Sequence, residues 1–161
     1  TFSRMSDSDS PVATGAGRFR PGAVLVTATR TVSVADIDSF AHLTGDENPL
    51  HLDEEFARRG LFRGRVAHGL LTLSLTLGLW YRAGLFEGET VVFHGIDKLR
   101  FLRPVRPGNT LSAKLTIVQS TPSPRGDVVE LENTTFNERD EAVLTFTARL
   151  LLSRATTRDT I

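Results

Sequence analysis

Apolar positions are sparse over residues 1–21, where Ser, Asp, Gly, Arg and Pro dominate. Such a stretch buries too little surface to offset the entropy of ordering, so 1–21 is expected to be a disordered tail. Pro21-Gly22 then punctuates the chain. Ala23 to Val32 is rich in Val and Thr and predicts a first strand. Ile37, Phe40, Ala41 and Leu43 or Thr44 fall at helical spacing behind Ser33 and Asp36, either of which can cap a helix. Gly45 should end that helix. Gly45 and Pro49 together predict a tight loop over Asp46 to Asn48. Leu52 to Arg59 predicts another short helix, with Asp53, Glu54 and Glu55 placed to suit its dipole, and residues 60–65 form a connector.

Val66 to Leu85 is the longest apolar element and has two readings. Leu71, Leu73, Leu75, Leu77 and Leu79 alternate with small residues, as in a strand. Length favours a helix, and one apolar on nearly every side is a buried helix. A bilayer span is not expected, because the run is short, carries small polar residues and ends at Arg82. Trp80 and Tyr81 are expected in the core or on a cleft wall. Four strands should follow, at Val91–Leu102, Thr110–Gln119, Val128–Phe136 and Ala142–Leu152, with turns at 122–126 and 137–140. One strand, a buried helix and an antiparallel meander give an α+β fold. A single domain over 22–154 is expected, followed by a C-terminal tail at 155–161.

Charge changes the picture little. Nineteen basic and nineteen acidic side chains balance, and the arginines are scattered, so no nucleic-acid or membrane partner is implied. The chain has no cysteine, which excludes disulfides and thiolate chemistry. The four histidines, at 42, 51, 68 and 94, show no usual ligand spacing, so no metal is expected. No basic segment leads into an apolar one at the start, so a cytoplasmic protein is expected.

The chemistry concentrates between Phe40 and Gly69. Asp46 and His51 lie five residues apart, with Asn48 between them. A carboxylate and an imidazole folded around one water can remove a proton and return one. Each residue also has a plainer explanation: Asp46 as a turn residue, His51 as a structural histidine. Further on, His68-Gly69 opens the long apolar run.

Phe40, Leu43, Thr44, Gly45, Asp46, Asn48, Pro49, Leu50, His51 and Ala57 together resemble the signature of the (R)-specific enoyl-CoA hydratases, in the MaoC-like dehydratase group of hotdog-fold proteins. The resemblance extends to His68-Gly69 and to the R-F-L-R-P-V-R-P-G-N-T stretch. It implies an antiparallel sheet wrapped around a long central helix, and two such sheets paired edge to edge in a homodimer or higher homo-oligomer. It also implies syn hydration of a trans-2-enoyl thioester, carried by CoA or an acyl carrier protein, to a (3R)-hydroxyacyl thioester, or the reverse dehydration. In this reading Asp46 and His51 are catalytic and Asn48 orients the water. The Gly69 N–H is the oxyanion donor at the start of the helix, His68 has a supporting role, and no cofactor is needed. The rivals are a hotdog thioesterase and a non-catalytic acyl-binding subunit. The complete G-D-x-N-P-x-H string argues against the first, and retention of both Asp46 and His51 argues against the second.

Overall fold

The computed structural model describes residues 19–154, so the two expected tails fall almost wholly outside the described residues. Phe19 is within them and packs against the core, its ring stacked 6.1 Å from Phe86.

Two short strands, β1 (Val24–Val26) and β2 (Arg30–Thr31), precede three helices: α1 (Val34–Thr44), α2 (Pro49–Leu52) and α3 (Glu54–Arg59). The long helix α4 (Gly69–Arg82) follows, then β3 (Glu89–Phe101), β4 (Thr110–Ser123), β5 (Gly126–Phe136) and β6 (Ala142–Arg154). The strands form one six-stranded antiparallel sheet in the order β1-β4-β5-β6-β3, with β2 also pairing β4.

The core lies between the sheet and α4. Leu111, Ala113, Leu115 and Ile117 alternate inward along β4, the period-2 pattern of a half-buried strand. They meet Leu71, Leu75, Leu79 and Trp80 of α4 in one apolar cluster. Inside it Trp80 Nε1 donates to Asn133 Oδ1 at 3.0 Å, and Thr76 and Thr135 share a hydroxyl bond of 3.0 Å. These buried polar groups are thereby satisfied.

Four expectations need correction. The first strand is split, because the Thr27 hydroxyl donates to Ala28 O and accepts from Ala113 N, and so competes with the ladder. The helix expected over Val66–Leu85 begins only at Gly69, since Ala67 N is bonded to Val105 O and His68 is extended at ψ 139°. Nor is this helix enclosed on every side: Leu70 and Tyr81 are exposed, so Tyr81 is not a core residue. Finally, the 122–126 turn shrinks, because the β4–β5 pairing continues to Ser123 and Gly126.

The caps follow the sequence closely. Ser33 and Asp36 form a reciprocal capping box on α1, and Gly45 closes it in the left-handed region at φ 77°. Asp53 caps α3 through the Phe56 N–H.

Candidate active site

The segment after Gly45 forms no regular element as far as Asn48, whose Oδ1 accepts from the Leu50 N–H at 3.0 Å and caps α2. Pro49 occupies the first helical turn, where its missing N–H costs nothing. His51 therefore stands on a one-turn helix, between the loop expected over Asp46 to Asn48 and the helix expected from Leu52. The Asn-Pro pair is the sequence signal for this, as N-cap followed by N1 proline.

The two histidines are held differently. His51 Nδ1 lies 2.8 Å from the Val66 carbonyl, which can only accept. The proton of the neutral ring is thereby placed on Nδ1, and Nε2 keeps its lone pair. His68 is 3 % exposed and donates from Nε2 to the Asp46 carbonyl at 2.9 Å. Its Nδ1 is buried without a partner. The two rings lie with centroids 3.7 Å apart and planes tilted by 31°, and the Phe40 ring is 5.0 Å from that of His68. Burial holds His51 below the usual histidine range; His68 and Arg65 act in the same direction, opposed by the Val66 carbonyl and Asp46.

Asp46 is mostly exposed, and its Oδ2 stands 4.0 Å from His68 Nε2. Asp46, His51, His68 and Gly69 line one cavity of about 160 Å³ together with Phe40, Thr44 and Leu70. A larger, mainly apolar cavity of about 370 Å³ adjoins it and shares His51, Gly69 and Leu70 as walls. Gly69 is the first residue of α4, so its N–H has no intrahelical carbonyl to meet and the helix dipole favours negative charge beside it. A Cβ on Gly69 would lie 2.7 Å from Phe101 Cε1. Asn48 is not among the residues lining either cavity. His42 is exposed and paired with Glu47, and His94 lies exposed on β3.

The donor atoms of Asp46, His51 and His68 lie within 4.8 Å of one another. His68 Nε2 is bonded to the Asp46 carbonyl and His51 Nδ1 to the Val66 carbonyl. What remains is the Asp46 carboxylate, His51 Nε2 and the buried Nδ1 of His68, and the first two suit proton transfer.

Two features of the site had no sequence signal. Arg65 donates to the His51 carbonyl and to Asp38, which lie 14 and 27 residues away along the chain. Phe101 arrives beside Gly69 from the far side of the fold, just after an irregularity in β3 at 97–100.

A sheet wrapped over one central helix, with an aspartate–histidine pair at that helix's N-terminus, defines a hotdog-fold protein. The chain belongs to the MaoC-like dehydratase family: a family model described as "MaoC like domain" matches residues 18–138. It is 38% identical over 103 residues to Protein MaoC of Klebsiella aerogenes, across 64% of this chain and 30% of that protein. It is 34% identical over 96 residues to an (R)-specific enoyl-CoA hydratase of Rhodospirillum rubrum, across 58% of this chain and 62% of that one. The chain thus spans less than two thirds of either curated relative. The solved MaoC-like dehydratase from Rhodospirillum rubrum superposes with a TM-score of 0.77 at 33% identity, covering 87% of this chain and 97% of that chain. No described helix is long and apolar enough to cross a membrane.

Proposed function

We propose that this protein is an (R)-specific enoyl-CoA hydratase, or 3-hydroxyacyl-thioester dehydratase, acting as a homodimer on CoA or carrier-protein thioesters. One observation carries this reading: Asp46, His51 and the unpaired N–H end of α4 at Gly69 line one small cavity that opens beside a larger apolar one. The names of the hydratase and dehydratase relatives agree with it.

An α,β-unsaturated thioester is electrophilic at its β-carbon. Hydration adds the water oxygen there and a proton to the α-carbon, while negative charge develops on the thioester oxygen. Asp46 and His51 serve as the pair around the water: between them they remove its proton and return it to the α-carbon. His51 is suited to this because the Val66 carbonyl leaves Nε2 free. The Gly69 N–H and the α4 dipole meet the developing oxyanion. The apolar cavity accommodates the acyl chain, and His68 holds the Asp46 main chain in place. Asn48 acts through its cap on α2, and so through the placement of His51.

The test uses trans-2-enoyl-CoA substrates of several chain lengths. Their conjugated absorbance should fall, with the (3R)-alcohol as product and no free thiol. Thiol release from saturated acyl-CoA, without hydration of any enoyl-CoA, would overturn the reading in favour of thioester hydrolysis. Neither reaction would point to a non-catalytic acyl-binding subunit.

A further inference from the structure

His51 sits on a helix of four residues, none of them buried. A single turn has no stability of its own, so the position of this histidine must be imposed from outside. Two successive residues impose it. The Val66 carbonyl accepts from His51 Nδ1 at 2.8 Å, and Arg65 Nε donates to the His51 carbonyl at 2.6 Å. Ring and main chain are gripped separately by neighbours in the sequence.

Arg65 is itself anchored. Its Nη2 donates to Asp38 Oδ1 of α1 at 2.5 Å, its main-chain N–H reaches Glu54 Oε2 of α3 at 3.3 Å, and its side chain is only 14 % exposed. The guanidinium therefore ties α1 to the helix that carries His51. A planar fork with several fixed donors can hold both partners at once, which a lysine ammonium on a flexible stem does poorly.

We propose that Arg65 is a positioning residue for His51, setting where the imidazole stands in the cleft and keeping its proton on Nδ1. Only the kinetic consequence of this role rests on the hydratase reading. The groups facing His51 are Asp46 on its loop, His68 at the N-cap of α4, and Arg65 itself. Removing Arg65 takes away a positive charge, so the His51 ring should protonate more readily.

The experiment compares the wild-type chain with Arg65→Met, Arg65→Lys and Asp38→Asn. The imidazole nitrogens of His51 are followed by NMR across a pH titration, beside steady-state kinetics and thermal melts. Wild type should show one tautomer, with the proton on Nδ1. In folded Arg65→Met the tautomers should mix and the titration should move to higher pH. Its kcat should drop about 10- to 100-fold, the scale of a catalytic group displaced by an ångström, with KM within about twofold. Arg65→Lys should fall between the two. Folded Arg65→Met with an unchanged His51 spectrum and titration would overturn the proposal. So would a loss of turnover that matches only a loss of folded protein. Should Arg65→Met fail to fold, Asp38→Asn decides by the tautomer alone, since it leaves the Arg65 charge in place: a smaller mixing of tautomers supports the role, and an unchanged His51 spectrum overturns it. If wild type hydrates no enoyl-CoA, the proposed function fails, and the spectra alone judge Arg65.

Discussion

The two residues proposed as the catalytic pair, Asp46 and His51, have different support. Asp46 is exposed and reached only through its own main chain, whereas His51 has a fixed ring. Asp46→Asn and His51→Ala should each lower kcat by roughly 10²–10⁴, the usual range for general acid–base groups. Both should melt as folded proteins, since neither side chain is part of the core. Near-wild-type turnover by either variant on every active substrate would remove it from the site. His51 also makes stability depend on pH. Unfolded, it takes up a proton near its ordinary value of 6.5; folded, burial holds it lower. Below that ordinary value the unfolded state binds more protons, so this contribution is intact above about pH 6.5 and is lost as pH falls through the folded value. Urea midpoints of wild type should therefore fall between pH 7.5 and pH 5, and His51→Gln should lose part of that slope. Parallel slopes in the two proteins would show that His51 does not titrate differently on folding.

Local rules account for most of the elements. The Ser33–Asp36 box and the Gly45 stop are short-range chemistry, so both ends of α1 were legible in the sequence, whereas α2, the Asp53 cap of α3 and the start of α4 at Gly69 were not. Asp46, His51, His68 and Gly69 were legible through their motif. The contacts that position them were not, because Val66, Arg65 and Phe101 reach them only after the chain has folded back. The same limit applies to β5. Its period-2 pattern turns Val129, Leu131, Asn133 and Thr135 inward, but nothing in the pattern explains an asparagine in a core position. Its reason is Trp80 Nε1, 53 residues earlier. Asn133→Ala would leave that donor buried and unpaired, at a cost of about 1–3 kcal/mol, readable by chemical denaturation. At the other end of α4, Gly69→Ala would press a methyl onto Phe101, which is half exposed and must swing aside. Turnover should fall, and adding Phe101→Ala should recover whatever stability Gly69→Ala loses. Failure of that second change to recover stability would mean the clash is relieved by moving α4 instead.

The sheet leaves one large consequence open at its edge. In the order β1-β4-β5-β6-β3, the thirteen residues of β3 pair with β6 on one side, and on the other no described strand pairs with them. A long edge of unpaired N–H and C=O groups is a template for another strand, and natural proteins cover or charge such edges. Towards its start the edge is not masked by charge: Val92 and Phe93 are 45 % and 40 % exposed, and the exposed Asp97 and Lys98 come only further along. On α4, Leu70 and Tyr81 are exposed as well. A second copy of the chain would satisfy both needs, pairing backbone groups and burying these side chains. Sedimentation at micromolar concentration should show a species of about twice the 17.7 kDa chain mass. Val92→Lys places a charge on the edge without touching Asp46, His51 or Gly69, and should shift the population towards monomer. If the dimer pairs through β3, the shift should grow with dilution and weaken at high protein concentration. A wild-type chain sedimenting only as a 17.7 kDa species would reject the dimer. A wild-type dimer left intact by Val92→Lys would place the contact on another surface.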